Sequence, residues 1–144
     1  MDSKEFKKMF GEVAKNQGFE RAFNGWFKES SECTVVLDLQ KSNYGNYYQI
    51  MIKIYVQGMF GSDYNKCKDL VKNTGHIFRG EPPEFKNVLN LDKSMEESNR
   101  KQRIEELFNE FITPFSNEAL SKKGLKELAQ QEKIYLLPAV KEQL

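Results

Sequence analysis

The chain has 144 residues, the length of one ordinary domain, and residues 1–144 are read as a single unit that needs neither a metal nor a disulfide to fold. Hydrophobic residues at 39% and charged residues at 30% exclude a disordered chain. Lysine and arginine (22) nearly cancel aspartate and glutamate (21), so the net charge of +1 gives no global field for nucleic acid or an anionic membrane.

The first element is helical. Phe6, Met9, Phe10, Val13 and Ala14 repeat at i, i+3, i+4, i+7 and i+8, which predicts one apolar stripe over residues 3–17. Asp2 or Ser3 caps its start, and Gly18 suits a left-handed end. The period then changes to two. Residues 25–30 read as a short strand. In residues 33–40, Val35, Leu37 and Leu39 point one way, and Thr34, Val36, Asp38 and Gln40 the other. The turn-rich Lys41–Asn46 leads to residues 47–56. There Tyr48, Ile50, Ile52, Ile54 and Val56 form an apolar face, and Tyr47, Gln49, Met51, Lys53 and Tyr55 a mixed one. Two alternating runs joined by a short polar loop predict an antiparallel hairpin.

Gly58, Gly61 and Gly75 punctuate the next stretch, where Tyr64, Cys67, Lys68 and Val71 mark one side of a short helix. His76–Gly80 reads as a strand ended by Pro82-Pro83, whose missing donors stop a ladder. Val88–Leu91 reads as a further strand. Ile104, Leu107, Phe108, Phe111 and Ile112 then predict a helix from Ser94 or Ser98 to about Thr113, ending before Pro114. Leu125, Leu128 and Ala129 mark a shorter helix, and Leu136–Leu144 a last helical turn or two with Pro138 near its start. No internal repeat or dividing linker is present.

Antiparallel strands in succession, with helices segregated before and after them, predict an α+β fold. Its antiparallel sheet of about four or five strands packs against N-terminal and C-terminal helices. The expected core includes Phe6, Phe10, Val13, Leu37, Leu39, Ile50, Ile52, Ile54, Leu107, Phe108 and Phe111.

Motifs for chemistry are sparse. His76 is the sole histidine, and no CxxC or HExxH spacing accompanies it, so no metal and no cofactor are expected. Cys67, between Lys66 and Lys68, forms with His76 the one available nucleophile–base pair, and no Gly-x-Ser-x-Gly turn surrounds a serine. Gly58-Met-Phe-Gly61 lacks both phosphate-binding spacings. Asp38 and Lys53 suit a cross-strand ion pair. The balance leans away from an enzyme. Two isolated thiols fit a reducing compartment. The start Met-Asp-Ser-Lys-Glu-Phe has no signal-peptide core, and the apolar run Tyr47–Val56 is broken by Gln49 and Lys53. A cytoplasmic location without membrane insertion is expected.

Several stretches together resemble a known family. They are Gly18-Phe19, Trp26-Phe27-Lys28, Val36-Leu37-Asp38-Leu39-Gln40-Lys41-Ser42, the tyrosine-rich Tyr47–Tyr55, His76-Ile77-Phe78-Arg79-Gly80 and Phe111-Ile112-Thr113-Pro114-Phe115. The chain resembles the bacterial domain-of-unknown-function family 4304 over roughly residues 3–120. The resemblance implies a small standalone bacterial α+β domain with no assigned activity, and it carries no catalytic residues.

Two functions from different classes fit. The first is a non-enzymatic module of accessory or immunity type that binds a protein partner through Trp26, Tyr44, Tyr47, Met51, Lys53 and Tyr55, since tyrosine and tryptophan anchor interfaces. The same aromatics suit stacked bases less well, given the neutral charge. The second is an enzyme or small-ligand binder whose pocket is lined by Asp38, Gln40, Lys53, His76 and Arg79. Oligomeric state is left open.

Overall fold

A computed structural model describes all 144 residues. The chain is α+β, as its periodicities predict. Helix α1 spans Ser3–Asn16. The Asp2 side chain accepts from the Glu5 amide at 2.8 Å, and the Glu5 carboxylate accepts from the Asp2 amide at 3.2 Å. This reciprocal cap satisfies donors that a helix start leaves unpaired. Gly18, at φ +91°, ends the helix, and the Phe19 amide donates back to the Ala14 carbonyl. All five predicted stripe residues of α1 are buried.

Five strands follow: β1 Glu20–Ala22, β2 Gly25–Glu29, β3 Cys33–Lys41, β4 Tyr48–Val56 and β5 Ile77–Gly80. They form one antiparallel sheet in chain order. Strand β1 is not among the predicted elements, since three residues are too few to show an alternation. Its two-residue turn uses Phe23 and Asn24 at φ +51° and +65°, a left-handed pair usually written with glycine.

The register opposes Val35 to Ile54, Leu37 to Ile52 and Trp26 to Leu37. This face meets Phe6, Phe10 and Val13 of α1 and Ile104, Leu107 and Phe108 from the C-terminal helices in one apolar core. Leu39 and Phe111, expected inside it, are half-buried at its margin. Leu39 lies two residues from the C-terminal end of β3. Phe111 stacks on Phe115 at 5.3 Å between ring centroids, beneath the Arg79 guanidinium.

The connection from β4 to β5 carries a 3-10 turn at Met59–Gly61 and one short α-helix, α2 (Lys68–Lys72). Two further expectations are corrected beyond β5. Val88–Leu91 is not a strand. It is a run of turns whose one sheet-like link is a bridge between Tyr47 and Asn90. Its Val88 and Leu89 are buried, so their apolarity reflects packing without pairing.

Helix α3 (Glu97–Leu107) does not stop at Pro114 either. It widens into a π turn at Phe108–Ile112 and continues as α4 (Thr113–Glu118). A proline has no amide to donate, and a widened turn already leaves a carbonyl without its usual partner. Pro114 therefore sits in the first turn of α4 without breaking the axis. Helices α5 (Lys122–Gln130) and α6 (Pro138–Gln143) complete the layer, and no helix is long and apolar enough to cross a membrane.

Candidate functional site

Strand alternation puts Thr34, Val36, Asp38 and Gln40 on the second face of the sheet, together with Met51, Lys53 and Tyr55. Part of that face is covered by the chain itself. The connection between β4 and β5 returns across it, and Tyr64, Cys67, Leu70 and Val71 pack on Phe27, Val36 and Tyr55. Polar anchors hold it down. Thr34 Oγ1 donates to the Tyr64 carbonyl at 2.7 Å, and the Tyr55 hydroxyl to the Leu70 carbonyl at 2.8 Å. Gln57 brackets Tyr64, accepting from its amide at 2.6 Å and donating to its carbonyl at 2.9 Å.

Lys53 lies at the edge of this cover, 3% exposed. Its ammonium donates to Asp38 Oδ2 at 2.9 Å and to the Val71 carbonyl at 2.5 Å. The pair is diagonal across the strands, since Asp38 opposes Met51 and Lys53 opposes Val36. Gln40 Nε2 donates to the same carboxylate oxygen at 2.8 Å. Asp38, Gln40 and Lys53 therefore converge.

The other two residues of that polar set lie apart from them. His76 closes the far end of the cover, where its Nδ1 accepts from the Val56 amide at 2.9 Å. Its ring stands edge-on to Tyr64, Tyr55 and Phe60, with centroids 4.5, 5.2 and 6.0 Å away. Arg79 opposes Ile52 and so points to the helix face. Its guanidinium covers Phe111 at 4.8 Å and donates to the Lys133 carbonyl at 2.7 Å.

The aromatic set divides as well. Trp26 opposes Leu37 and is buried in the main core, on the opposite face from Tyr55. Tyr55 is buried under Tyr64, and burial together with neighbouring anionic groups pushes its hydroxyl up to about 12. Tyr44 is 95% exposed in the β3–β4 loop, and Tyr47 and Met51 are half-buried. The six do not form one surface, because two-residue alternation says which side chains share a face and nothing about what covers it. One residue outside the set does lie in the open. Phe78 opposes Lys53 on the second face and is 60% exposed. Its signal was present in the alternation of β5, where buried Ile77 precedes it.

Cys33 is buried in the main core, and Cys67 is half-buried in the second-face cluster, so the thiols lie on opposite sides of the sheet and both are free. Burial and the nearby Glu32 carboxylate push the Cys33 thiol up to about 12. That thiol stays protonated and inert at neutral pH. No three His, Cys, Asp or Glu side chains are grouped to hold a metal ion.

His76 gives the site a pH dependence. Burial lowers its proton affinity below the ordinary value of 6.5, and its Nδ1 serves as an acceptor only when unprotonated. The unfolded chain thus binds the proton more readily than the folded one. The contribution to stability is complete above about pH 6.5 and is lost as pH falls through the lower folded value, by at most about 1.4 kcal/mol per pH unit. Urea midpoints should fall between pH 7 and pH 5 in the wild type and fall less in His76→Asn, which keeps an acceptor but does not titrate. Equal slopes for the two proteins would rule this role out.

A family model described as a domain of unknown function (DUF4304) matches residues 10–118 of the chain. No curated protein and no solved structure matches it.

Proposed function

Since the chain belongs to this family of domains of unknown function, we propose from its geometry that it works as a non-catalytic, protein-binding module of accessory type. Phe78 carries this reading. It is a large apolar side chain standing in water on β5, a strand that has a neighbour on one side only. An edge strand presents unpaired backbone groups, and an extended segment of a partner docks there by extending the sheet. Half-buried Met51 flanks Phe78 on the same face, and the Asp38–Gln40 pair gives it a polar rim. An aromatic centre with a polar rim is the usual anatomy of a contact surface.

The reading of Asp38, Gln40, Lys53, His76 and Arg79 as one ligand-binding pocket has less support. Lys53, His76 and Arg79 each have hydrogen-bonding groups committed to backbone atoms of this chain, and Arg79 faces the other side of the sheet.

The test is Phe78→Ser. An exposed position tolerates such a change within about 0.5 kcal/mol. The variant should melt with the wild type, yet lose about 30-fold in affinity for the partner that the wild type captures from a cell extract. Undiminished capture by a folded Phe78→Ser protein would refute the proposal.

A further inference from the structure

Trp26 is the chain's one tryptophan, 2% exposed, with its ring edge-on to Phe10 at 5.0 Å. Its indole Nε1 is buried and has no acceptor. Leaving such a donor unpaired is destabilising, and an acceptor placed there would recover that loss.

Nε1 lies beneath the wall of a groove of about 550 Å³ between α1 and the β1–β2 hairpin. Gly11 of α1 forms that wall. A Cβ at Gly11 would stand 3.5 Å from Nε1, an ordinary contact, so packing does not demand glycine there. A glycine inside a helix is less stable there than alanine. Its effect here is to thin the cover between the indole nitrogen and the groove.

The rim of the groove is cationic. Lys7, Lys8, Lys15 and Arg21 line it, and none of them belongs to the chain's salt bridges. Of the two lining carboxylates, Glu20 is already held by Lys66 at 2.6 Å, which leaves Glu12. The Arg21 guanidinium lies 4.9 Å from the indole centroid, and Phe19 supplies a second apolar wall. Arg21 is exposed and free to swing.

We propose that this groove binds a small molecule with one or two flat apolar rings and a carboxylate. The rings lie against Phe19 and the indole. Arg21 turns from the indole to the carboxylate, which also accepts a hydrogen bond from Trp26 Nε1–H. The volume suits a ligand of that size, and a planar guanidinium suits a planar carboxylate. Trp26 and Phe78 lie on opposite faces of the sheet, so this site stands or falls separately from the protein-contact surface.

A single tryptophan gives a single indole resonance in a nitrogen–proton correlation spectrum. Phenylacetate should move that resonance downfield and saturably, while the neutral phenylacetamide should leave it in place. Arg21→Gln, a surface change, should weaken phenylacetate binding about tenfold, the effect of one charged hydrogen bond. Gly11→Leu, which fills the groove, should abolish it, and Gly11→Ala should weaken it while raising the melting temperature. A resonance that phenylacetate does not move, equal shifts with both probes, or unchanged binding by Arg21→Gln would each overturn the proposal.

Discussion

Arg100→Ala is expected to be among the most damaging single substitutions in this chain, lowering stability by about 3–5 kcal/mol. Arg100 is 2% exposed on α3, and its guanidinium donates to the carbonyls of Val88 at 2.5 Å, Asn90 at 3.3 Å and Lys93 at 2.9 Å. No carboxylate neutralises it. It serves instead as the hub around which residues 88–93 turn, in the stretch that lacks strand pairing. Removing it leaves the Val88 and Lys93 carbonyls without a donor, while Asn90 keeps the Lys93 amide, and opens a cavity beneath the loop. Arg100→Lys should recover only part of the loss, since one ammonium cannot reproduce a planar fork of donors. Urea unfolding would measure the change. Hydrogen exchange should locate it at the amides of Tyr48 and Leu91, which bond to the Leu89 and Asn46 carbonyls. A loss below about 1 kcal/mol would show that the loop holds itself.

The second large effect concerns Lys53 and Asp38. Lys53→Met should cost about 3–5 kcal/mol, because it strands a largely buried carboxylate and frees the Val71 carbonyl that holds α2 down. Adding Asp38→Leu should bring stability back to within about 2 kcal/mol of the wild type, since a buried ion pair is often replaceable by apolar side chains of similar size. Urea unfolding of the wild type, both single variants and the double variant forms a complete cycle. Simple addition of the two single losses would mean that the pair is not coupled.

Much of this architecture is legible in the residues. The stripe of α1 and the alternation of β3 and β4 are strong periodic signals, and they place Ile50, Ile52 and Ile54 under the helices. The Asp38–Lys53 pair follows from the same alternation. The remaining features depend on contacts distant in sequence. Tyr55 has the composition of a surface aromatic until the 57–76 connection folds over it. Trp26 differs from Tyr55 in facing only through the β2–β3 register, which a short strand with an irregular turn does not announce. The apolar cluster at Val88–Leu91 looks like a strand because burial and pairing favour the same residue types. Pro114 looks like a helix stop because nothing local signals the wider turn before it.

The order of the sheet bears on the protein's birth. Every strand pairs with the one made just before it, so all five can be laid down as a ribosome delivers the chain up to Gly80. The C-terminal helices that shelter Ile50, Ile52 and Ile54 come later, from Glu97 onward, and until then α1 and the short apolar turns at Phe85, Val88 and Leu89 are all that stands over that oily surface. The nascent protein thus passes through a stage with a finished sheet and half a roof, when a chaperone has most to hold.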